Sequence, residues 1–231
     1  MADPAARPSL SALARLLLML SVTTGMIDAV SVLGLGQVFT ANMTGNIVFM
    51  GFALAGAKGF HVISYIVALA SFLCGATIAG RIGAAHRERP LKHWLMRSAV
   101  IEVALLWIAA GIALGFDIAA QSPSWRLYAV LTLTGVSMGY RNGTVRQLKV
   151  PDLTTTVLTL TLTGLAADSR LASGSNPNFA RRITAVAAIL IGAVIGAMLV
   201  LNTGLALPLA LTGATILIAT MITVVFPGRS D

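Results

Sequence analysis

The sequence predicts an all-α integral membrane protein that forms a single membrane domain, residues 1–231, with six transmembrane helices and two short re-entrant half-helices. Three observations predict this class: the composition, the lengths of the apolar runs, and the distribution of positive charge between those runs. Of the 231 residues, 57% are hydrophobic and 10% are charged, whereas an ordinary soluble domain carries about 25% charged residues. The mean hydropathy is +0.87. We therefore expect the chain to lie in a lipid bilayer.

The composition also excludes several classes of protein. The net charge is +8, but the basic residues fall in short connectors between apolar runs, so they indicate topology and not a nucleic-acid interface. The single cysteine, Cys74, lies in an apolar run and rules out an internal disulfide. The sequence has no Gly-x-Ser-x-Gly, HExxH or glycine-rich phosphate motif. We therefore predict a protein that is not an enzyme and that uses no metal, no cofactor and no nucleic acid.

Apolar runs divide the chain into its predicted helices. The arginine-flanked start continues past any cleavage point and is predicted to be a retained first helix. A crossing helix needs about 20 residues, and the second and sixth runs are shorter than that. A helix from Gly45 to Ala57, for example, reaches about 20 Å into a hydrocarbon core of about 30 Å. The eight runs lie near residues 15–36, 42–57, 62–84, 98–119, 127–148, 153–167, 183–203 and 205–226.

The positions of lysine and arginine favour six crossings over eight. If all eight runs cross, the 16 basic residues divide equally between the two sides. If the second and sixth runs enter and leave on the same side, all of them except Lys58 and Arg126 face the cytoplasm. Because positive residues concentrate on the cytoplasmic side, we predict six crossings with both termini in the cytoplasm. Non-helical backbone at membrane depth must be covered by protein or line a water-filled cavity, so a cavity is also expected.

Two parts of the chain repeat the same pattern. Gly25-Met-Ile-Asp28-Ala29 in the first run matches Gly139-Tyr-Arg-Asn142-Gly143 in the fifth, and a threonine-rich stretch follows each. Each unit has three crossings, and because three is odd the second unit must be inverted. We therefore predict inverted-topology repeats over residues 10–119 and 125–228, an arrangement in which secondary transporters bind substrate at the repeat interface.

The predicted binding site joins the two threonine-rich stretches near the membrane centre. Two half-helix N-termini would point there with unpaired N–H groups, which favour an anion or a polar group. Side-chain amides and hydroxyls at these positions can cap the helices or coordinate a solute. The predicted substrate-binding residues are Asp28, Asn42, Thr44, Asn46, Asn142, Thr154, Thr155 and Thr156.

Acidic residues inside a membrane helix are the candidates for coupling or gating. An acid near a helix centre costs about 2.5–3.5 kcal/mol, so Asp28 needs a reason to be there. That reason is either function or a structural bond to Asn, Thr, Arg141 or Arg146. Glu102 is the second candidate, as a proton-relay or gating group near the inner interface. Arg141 and Arg146 themselves are expected to snorkel to that interface, with an anion-attracting mouth as the alternative.

The stretches GMIDAVSVLGLGQVFTANMTGNIVFMG and GYRNGTVRQLKVPDLTTTVLTLTLTG resemble the YoaK-like family of small bacterial multi-pass membrane proteins. The resemblance covers nearly the whole chain. It implies a bacterial cell-membrane protein with about six spans, located in the cytoplasmic (inner) membrane. It implies no activity, because the family is a domain of unknown function.

Two functions are compatible with this sequence. The first is a small transporter or channel that passes a polar or anionic solute, with proton or cation coupling through Asp28. The alternative is a membrane scaffold or assembly protein whose polar residues only hold helices together. The glycine pairs Gly111/Gly115 and Gly192/Gly196 predict close helix packing, either within the monomer or in a homodimer.

Overall fold

The computed structural model describes residues 10–86, 90–148, 158–172, 174–175 and 178–226. Within these residues the fold is entirely helical, apart from connectors and one isolated bridge between Asp117 and Ser122. Each of the eight apolar runs overlaps one described α-helix, which confirms the all-α prediction. The helices are α1 Leu10–Gly34, α2 Met43–Leu54, α3 Val62–Ala85, α4 Leu91–Ala113, α5 Ser124–Leu148, α6 Leu158–Ala167, α7 Phe179–Thr203 and α8 Ala206–Val225.

Five helices of the described chain are long and apolar enough to cross a membrane: α1, α3, α4, α7 and α8. The helix α5 has the length, 25 residues, but carries Arg141 and Asn142 in its interior. The helix α2 has 12 residues and the described part of α6 has 10, which at 1.5 Å per residue is about 15–18 Å. These are the two runs that the sequence predicted to be too short to cross.

Lipid would cover most of the outer surface of this bundle. Large apolar side chains on the outward faces of the long helices are exposed, for example Leu190 at 64% and Leu201 at 75%. A soluble protein would not leave so many apolar side chains in water. The chain is therefore a multi-pass membrane protein whose apolar helices contact the bilayer.

Two helix pairs form the closest contacts in the bundle, α1 with α7 and α3 with α5. Each pair meets at glycines. A Cβ atom at Gly25 of α1 would lie 2.1 Å from a backbone oxygen of α7, and one at Gly139 of α5 would lie 1.9 Å from a backbone oxygen of α3. On the opposing helices, Gly192 and Gly75 are equally tight. Only glycine permits this approach, as in small-residue packing of membrane helices generally.

The glycine positions in the two pairs correspond to one another. Gly75 and Gly192 lie equally far from the starts of α3 and α7, and Gly139 lies as far from the start of α5 as Gly25 lies from Leu10, the first described residue of α1. Two further pairs of contacts correspond in the same way: α4 packs on α5 as α8 packs on α1, and α2 packs on α3 as α6 packs on α7. Of the glycine pairs expected to mediate packing, Gly192 and Gly196 pack on α1. A Cβ at Gly111 would meet nothing within 4 Å.

The connector between α1 and α2 is non-helical and partly buried. Leu35, Val38 and Thr40 within it are fully buried, whereas Gln37 and Asn42 are exposed. The buried part packs against protein, as non-helical backbone at membrane depth would require. The inward faces of α1, α4, α5 and α8 supply most of the apolar core. This core is the support on which α2 and its connector lie.

Candidate functional site

A cavity of about 600 Å³ lies where α1, α2, α6 and α7 meet. We call it the polar cavity. It brings residues from both threonine-rich stretches together, because the start of α2 and the start of the described part of α6 both line it. Its described lining consists of Thr24, Asp28, Ala41, Asn42, Met43, Thr44, Gly45, Val48, Phe49, Leu158, Thr159 and Ile189.

Asp28 lies on the α1 wall of the polar cavity. Its Oδ1 atom is buried and accepts no hydrogen bond from any described residue. The backbone of Ala41 and the positive charge of Arg141 act on the carboxylate, which places the connector before α2 beside Asp28. An unpaired buried carboxylate oxygen is costly in a protein interior, so this atom is a candidate for binding a ligand.

The first turn of α2 forms the opposite wall. Asn42 occupies the N-cap position, but its side chain makes no capping bond with the described residues. Met43, Thr44 and Gly45 follow in the first helical turn, where backbone N–H groups have no partner within the helix. These donors therefore lie at the cavity. Gly45 is required by packing as well, because a Cβ there would lie 2.7 Å from the Phe39 ring.

Asn46 has a structural position instead of a place in the cavity lining. Its side chain is 1% exposed. The Phe39 N–H donates to Asn46 Oδ1 at 2.9 Å, and Asn46 Nδ2 donates to the Phe39 carbonyl at 2.6 Å. These two bonds attach the connector to α2. Asn46 was predicted to bind substrate, and in the structure it holds the half-helix in position.

Glu102 and Arg141 form a buried ion pair between α4 and α5. Arg141 is 1% exposed and Glu102 is 5% exposed. Arg141 Nε donates to Glu102 Oε1 at 2.6 Å, and its Nη2 contacts the same oxygen. Arg141 Nη1 donates to Thr24 Oγ1 at 3.0 Å and to the Leu20 carbonyl at 3.2 Å. The pair therefore joins α1, α4 and α5.

This pair corrects two expectations. Arg141 does not snorkel to the interface, because Glu102 supplies its countercharge inside the bundle. Glu102 lies deeper than expected, because α4 begins at Leu91, seven residues before the apolar run that located it. Thr24 connects the pair to the polar cavity, since it lines the cavity and accepts from Arg141.

A second cavity, of about 850 Å³, lies among the connectors. We call it the loop cavity. Residues 35–37 after α1, 59–61 after α2 and 118–121 after α4 line it. The segment from α1 through α2 to α3 therefore begins and ends at the same cavity.

Phe49 lines both cavities. Its ring lies 6.0 Å from the Phe39 ring, 5.3 Å from the Phe60 ring and 6.1 Å from the Tyr65 ring, measured between centroids. This aromatic cluster separates the polar cavity from the loop cavity. Sequence reasoning missed it, although four phenylalanines between positions 39 and 60 were a visible signal.

Three of the predicted site residues, Asp28, Asn42 and Thr44, come together in the polar cavity. Asn142 lies on α5, where its Nδ2 donates to the Met138 carbonyl at 2.9 Å; the described polar cavity does not include it. The predicted residues Thr154, Thr155 and Thr156 lie outside the described residues. Thr159, two residues into the described part of α6, lines the cavity instead.

Known proteins are similar to this chain over much of its length. The family model described as "Protein of unknown function (DUF1275)" matches residues 16–223. The chain is 31% identical over 153 residues to the UPF0700 transmembrane protein YoaK of Bacillus subtilis (strain 168). That alignment covers 66% of this chain and 65% of the relative, so the chain spans a little under two thirds of the length of that protein. No solved structure matches the chain significantly.

Proposed function

This chain belongs to the DUF1275 family, and from that premise we propose that it is a small transporter or channel for a polar solute. The polar cavity carries the proposal, because it holds a buried carboxylate oxygen with no described hydrogen-bond donor beside the unbonded first turn of a half-helix. Membrane protein interiors keep such groups where they bind a solute or an ion. The proposed site is Asp28, Asn42 and Thr44, with Thr159 opposite.

Re-entrant geometry supports a site at membrane depth. The helix α2 is too short to cross, and the connectors before and after it line one loop cavity. A segment that leaves and returns on one side cannot be a crossing. With α6 treated in the same way, the proposal has six crossings and both termini in the cytoplasm, in a bacterial inner membrane.

The matching glycine contacts support the proposed inverted repeats, residues 10–119 and 125–228. Gly25 against α7 corresponds to Gly139 against α3, at equal distances from the first described residues of α1 and α5. The same glycine contact is expected twice when two copies of one structural repeat pack against each other. Under this arrangement the half-helices would meet between the repeats, which is where inverted-repeat transporters bind substrate.

The proposal also includes coupling of solute transport to a proton or another cation. Asp28 is the group that a proton or cation would neutralise, since its Oδ1 has no donor among the described residues. Glu102 acts on it indirectly, because Glu102 holds Arg141 and Arg141 donates to Thr24 of the cavity wall. A change at Glu102 would therefore alter the electrostatic field at Asp28 without removing a solute contact.

Purified protein in detergent and in liposomes tests the function. A thermal-shift screen of small amines, amino acids, sugars and carboxylates identifies solutes that bind, because a ligand stabilises by RT ln(1 + [L]/Kd). Uptake of each stabilising solute is then measured in proteoliposomes. Asp28→Asn and Thr44→Ala are expected to lower uptake, whereas Thr184→Ala, on an exposed face of α7, is the control. Uptake equal to that of protein-free liposomes would refute the proposal.

Topology has a separate measurement. Reporters inserted near Gly59 and near Ser175 should lie on opposite sides of the membrane, with Ser175 in the cytoplasm. Both reporters on the same side would contradict the six-crossing arrangement.

A scaffold is the second candidate function, and the buried Glu102–Arg141 pair favours it. The pair ties three helices together without facing the polar cavity, as polar groups do when they serve only helix association. Under this alternative, cavity substitutions lower stability and no solute protects the fold. A homodimer would suit the scaffold, and Gly111 marks an open face of α4 in the described structure where a second copy could pack.

A further inference from the structure

We infer that the polar cavity selects a solute with a positively charged group, of which a small protonated amine is the simplest case, and that it rejects free anions. The inference deepens the proposed function and rests on it. The sequence predicted a polar or anionic solute, and the structure favours a cationic one.

The described wall of the polar cavity has an acidic residue and no basic one. Among the twelve described lining residues, Asp28 is the only one with an ionisable side chain. Arg141 is a described basic residue whose charge acts on Asp28. It does not line the polar cavity, and its Nε and Nη2 atoms contact the Glu102 carboxylate. When Asp28 is ionised, the described wall therefore carries one negative charge and no positive one.

One carboxylate oxygen of Asp28 is available to a solute. Asp28 Oδ1 is buried at the cavity and has no described donor. A carboxylate in a low-dielectric site needs donors and a countercharge. An ammonium group supplies both at once, and hydrogen bonds between ionised partners are the stronger kind.

The remaining wall suits an ammonium group as well. The hydroxyl oxygens of Thr44 and Thr159 can accept from its N–H groups. Phe49 lines the same cavity, and an aromatic ring can attract a cation that lies within about 6 Å of its face. The volume, about 600 Å³, would accommodate a solute in place of roughly 20 waters at about 30 Å³ each.

The N-terminus of α2 opposes a preference for cations, because a helix N-terminus favours anions. Its dipole is equivalent to about half an elementary charge and is screened within the first turn. When ionised, Asp28 carries a full charge, and it lies beside Ala41, just before that first turn. The carboxylate is therefore itself the anion nearest the helix start. With Asp28 ionised, a second anion would meet a net negative charge on the described part of the wall.

A charge-matched series of solutes tests the inference on the full-length purified protein. Propylammonium, 1-propanol and propionate have similar size and differ in charge. We expect propylammonium alone to raise the thermal unfolding midpoint at constant ionic strength. Asp28→Asn should weaken its apparent affinity about tenfold or more, since a charge-assisted bond is lost. Asp28→Glu should keep the preference for the amine.

The control substitution is Asp117→Asn, which removes an exposed carboxylate outside the polar cavity and should leave the amine response unchanged. Size-exclusion chromatography verifies that each variant is folded. Stabilisation by propionate, or equal stabilisation by all three solutes, would overturn the inference and leave transport intact. No stabilisation by propylammonium would overturn it as well.

Uptake of radiolabelled methylammonium into proteoliposomes separates this inference from the proposed function. Amine binding that depends on Asp28, without uptake above protein-free liposomes, keeps the cation site and refutes transport. Uptake of acetate without uptake of methylammonium keeps transport and refutes the cation site.

Discussion

The buried pair of Glu102 and Arg141 makes a quantitative prediction about stability. Arg141 is enclosed by α1, α4 and α5, and its guanidinium is bonded to Glu102, Thr24 and the Leu20 carbonyl. Glu102→Met leaves that charge in the core without a countercharge. Loss of one partner from a buried pair costs about 3–5 kcal/mol of unfolding free energy.

The double substitution should cost less than either single one. Replacing a buried pair by apolar residues of similar volume is often neutral or stabilising. We therefore expect Glu102→Met with Arg141→Met to lose less than about 2 kcal/mol. A double-mutant cycle measures the coupling between the two positions. Arg81→Met, at an exposed arginine of α3, is the control and should change stability by less than about 0.5 kcal/mol.

Reversible unfolding in detergent micelles, followed by the fluorescence of the three tryptophans, provides the assay. At about 2–4 °C per kcal/mol for a chain of this size, each single substitution should lower the midpoint by about 6–20 °C. Additive costs, or single substitutions that cost less than about 1 kcal/mol, would show that the pair is solvated and would refute the structural account of Arg141.

Three further predictions concern packing and the path between the cavities. Gly25→Ala should destabilise strongly, since its Cβ would lie 2.1 Å from a backbone oxygen of α7, whereas Gly111→Ala should be neutral because its Cβ would meet nothing described within 4 Å; thermal midpoints compare the two, and equal effects would contradict the packing. Asn46→Ala should lose about 2–4 kcal/mol, because two buried hydrogen bonds to Phe39 are left unmade, and an unchanged unfolding curve would contradict this. Phe49→Ala should speed methylammonium uptake by joining the two cavities, and unchanged uptake would show that Phe49 is no barrier.

The number and type of the described α-helices followed from hydropathy, but several helix boundaries did not. The fourth apolar run begins at residue 98, whereas α4 begins at Leu91. Lys92, His93 and Arg97 lower the hydropathy of the first turns, although Trp94 and Leu95 are buried. A helix end near the interface can carry charge on its outer side. Hydropathy therefore placed Glu102 too close to the surface.

The polar site was partly predictable, because polar groups inside a membrane must be covered or must face a cavity. Asp28, Asn42 and Thr44 follow from that rule. That rule does not separate Thr44, which lines the cavity, from Asn46, which does not. Successive residues of a helix turn by about 100°. Residues two apart therefore face nearly opposite ways. The sequence placed the helix start at Gly45, whereas α2 begins at Met43.

The partner of Arg141 could not be predicted from the sequence. Arg141 and Glu102 lie on different helices, and which faces meet depends on the crossing geometry of α4 and α5. Hydropathy carries no information about that geometry. The glycines at positions 75 and 139 bring α3 and α5 together, and only the structure shows that this packing turns Arg141 toward α4.

The accessibility of position 44 to water most directly tests the central claim, that the start of α2 lies in a water-filled cavity at membrane depth. Thr44→Cys and Leu190→Cys, each made with Cys74→Ala, are treated with a charged methanethiosulfonate reagent in membranes open on both sides. The account predicts rapid modification at position 44 and none at position 190, which faces lipid. Modification at position 44 as slow as that at position 190 would contradict it.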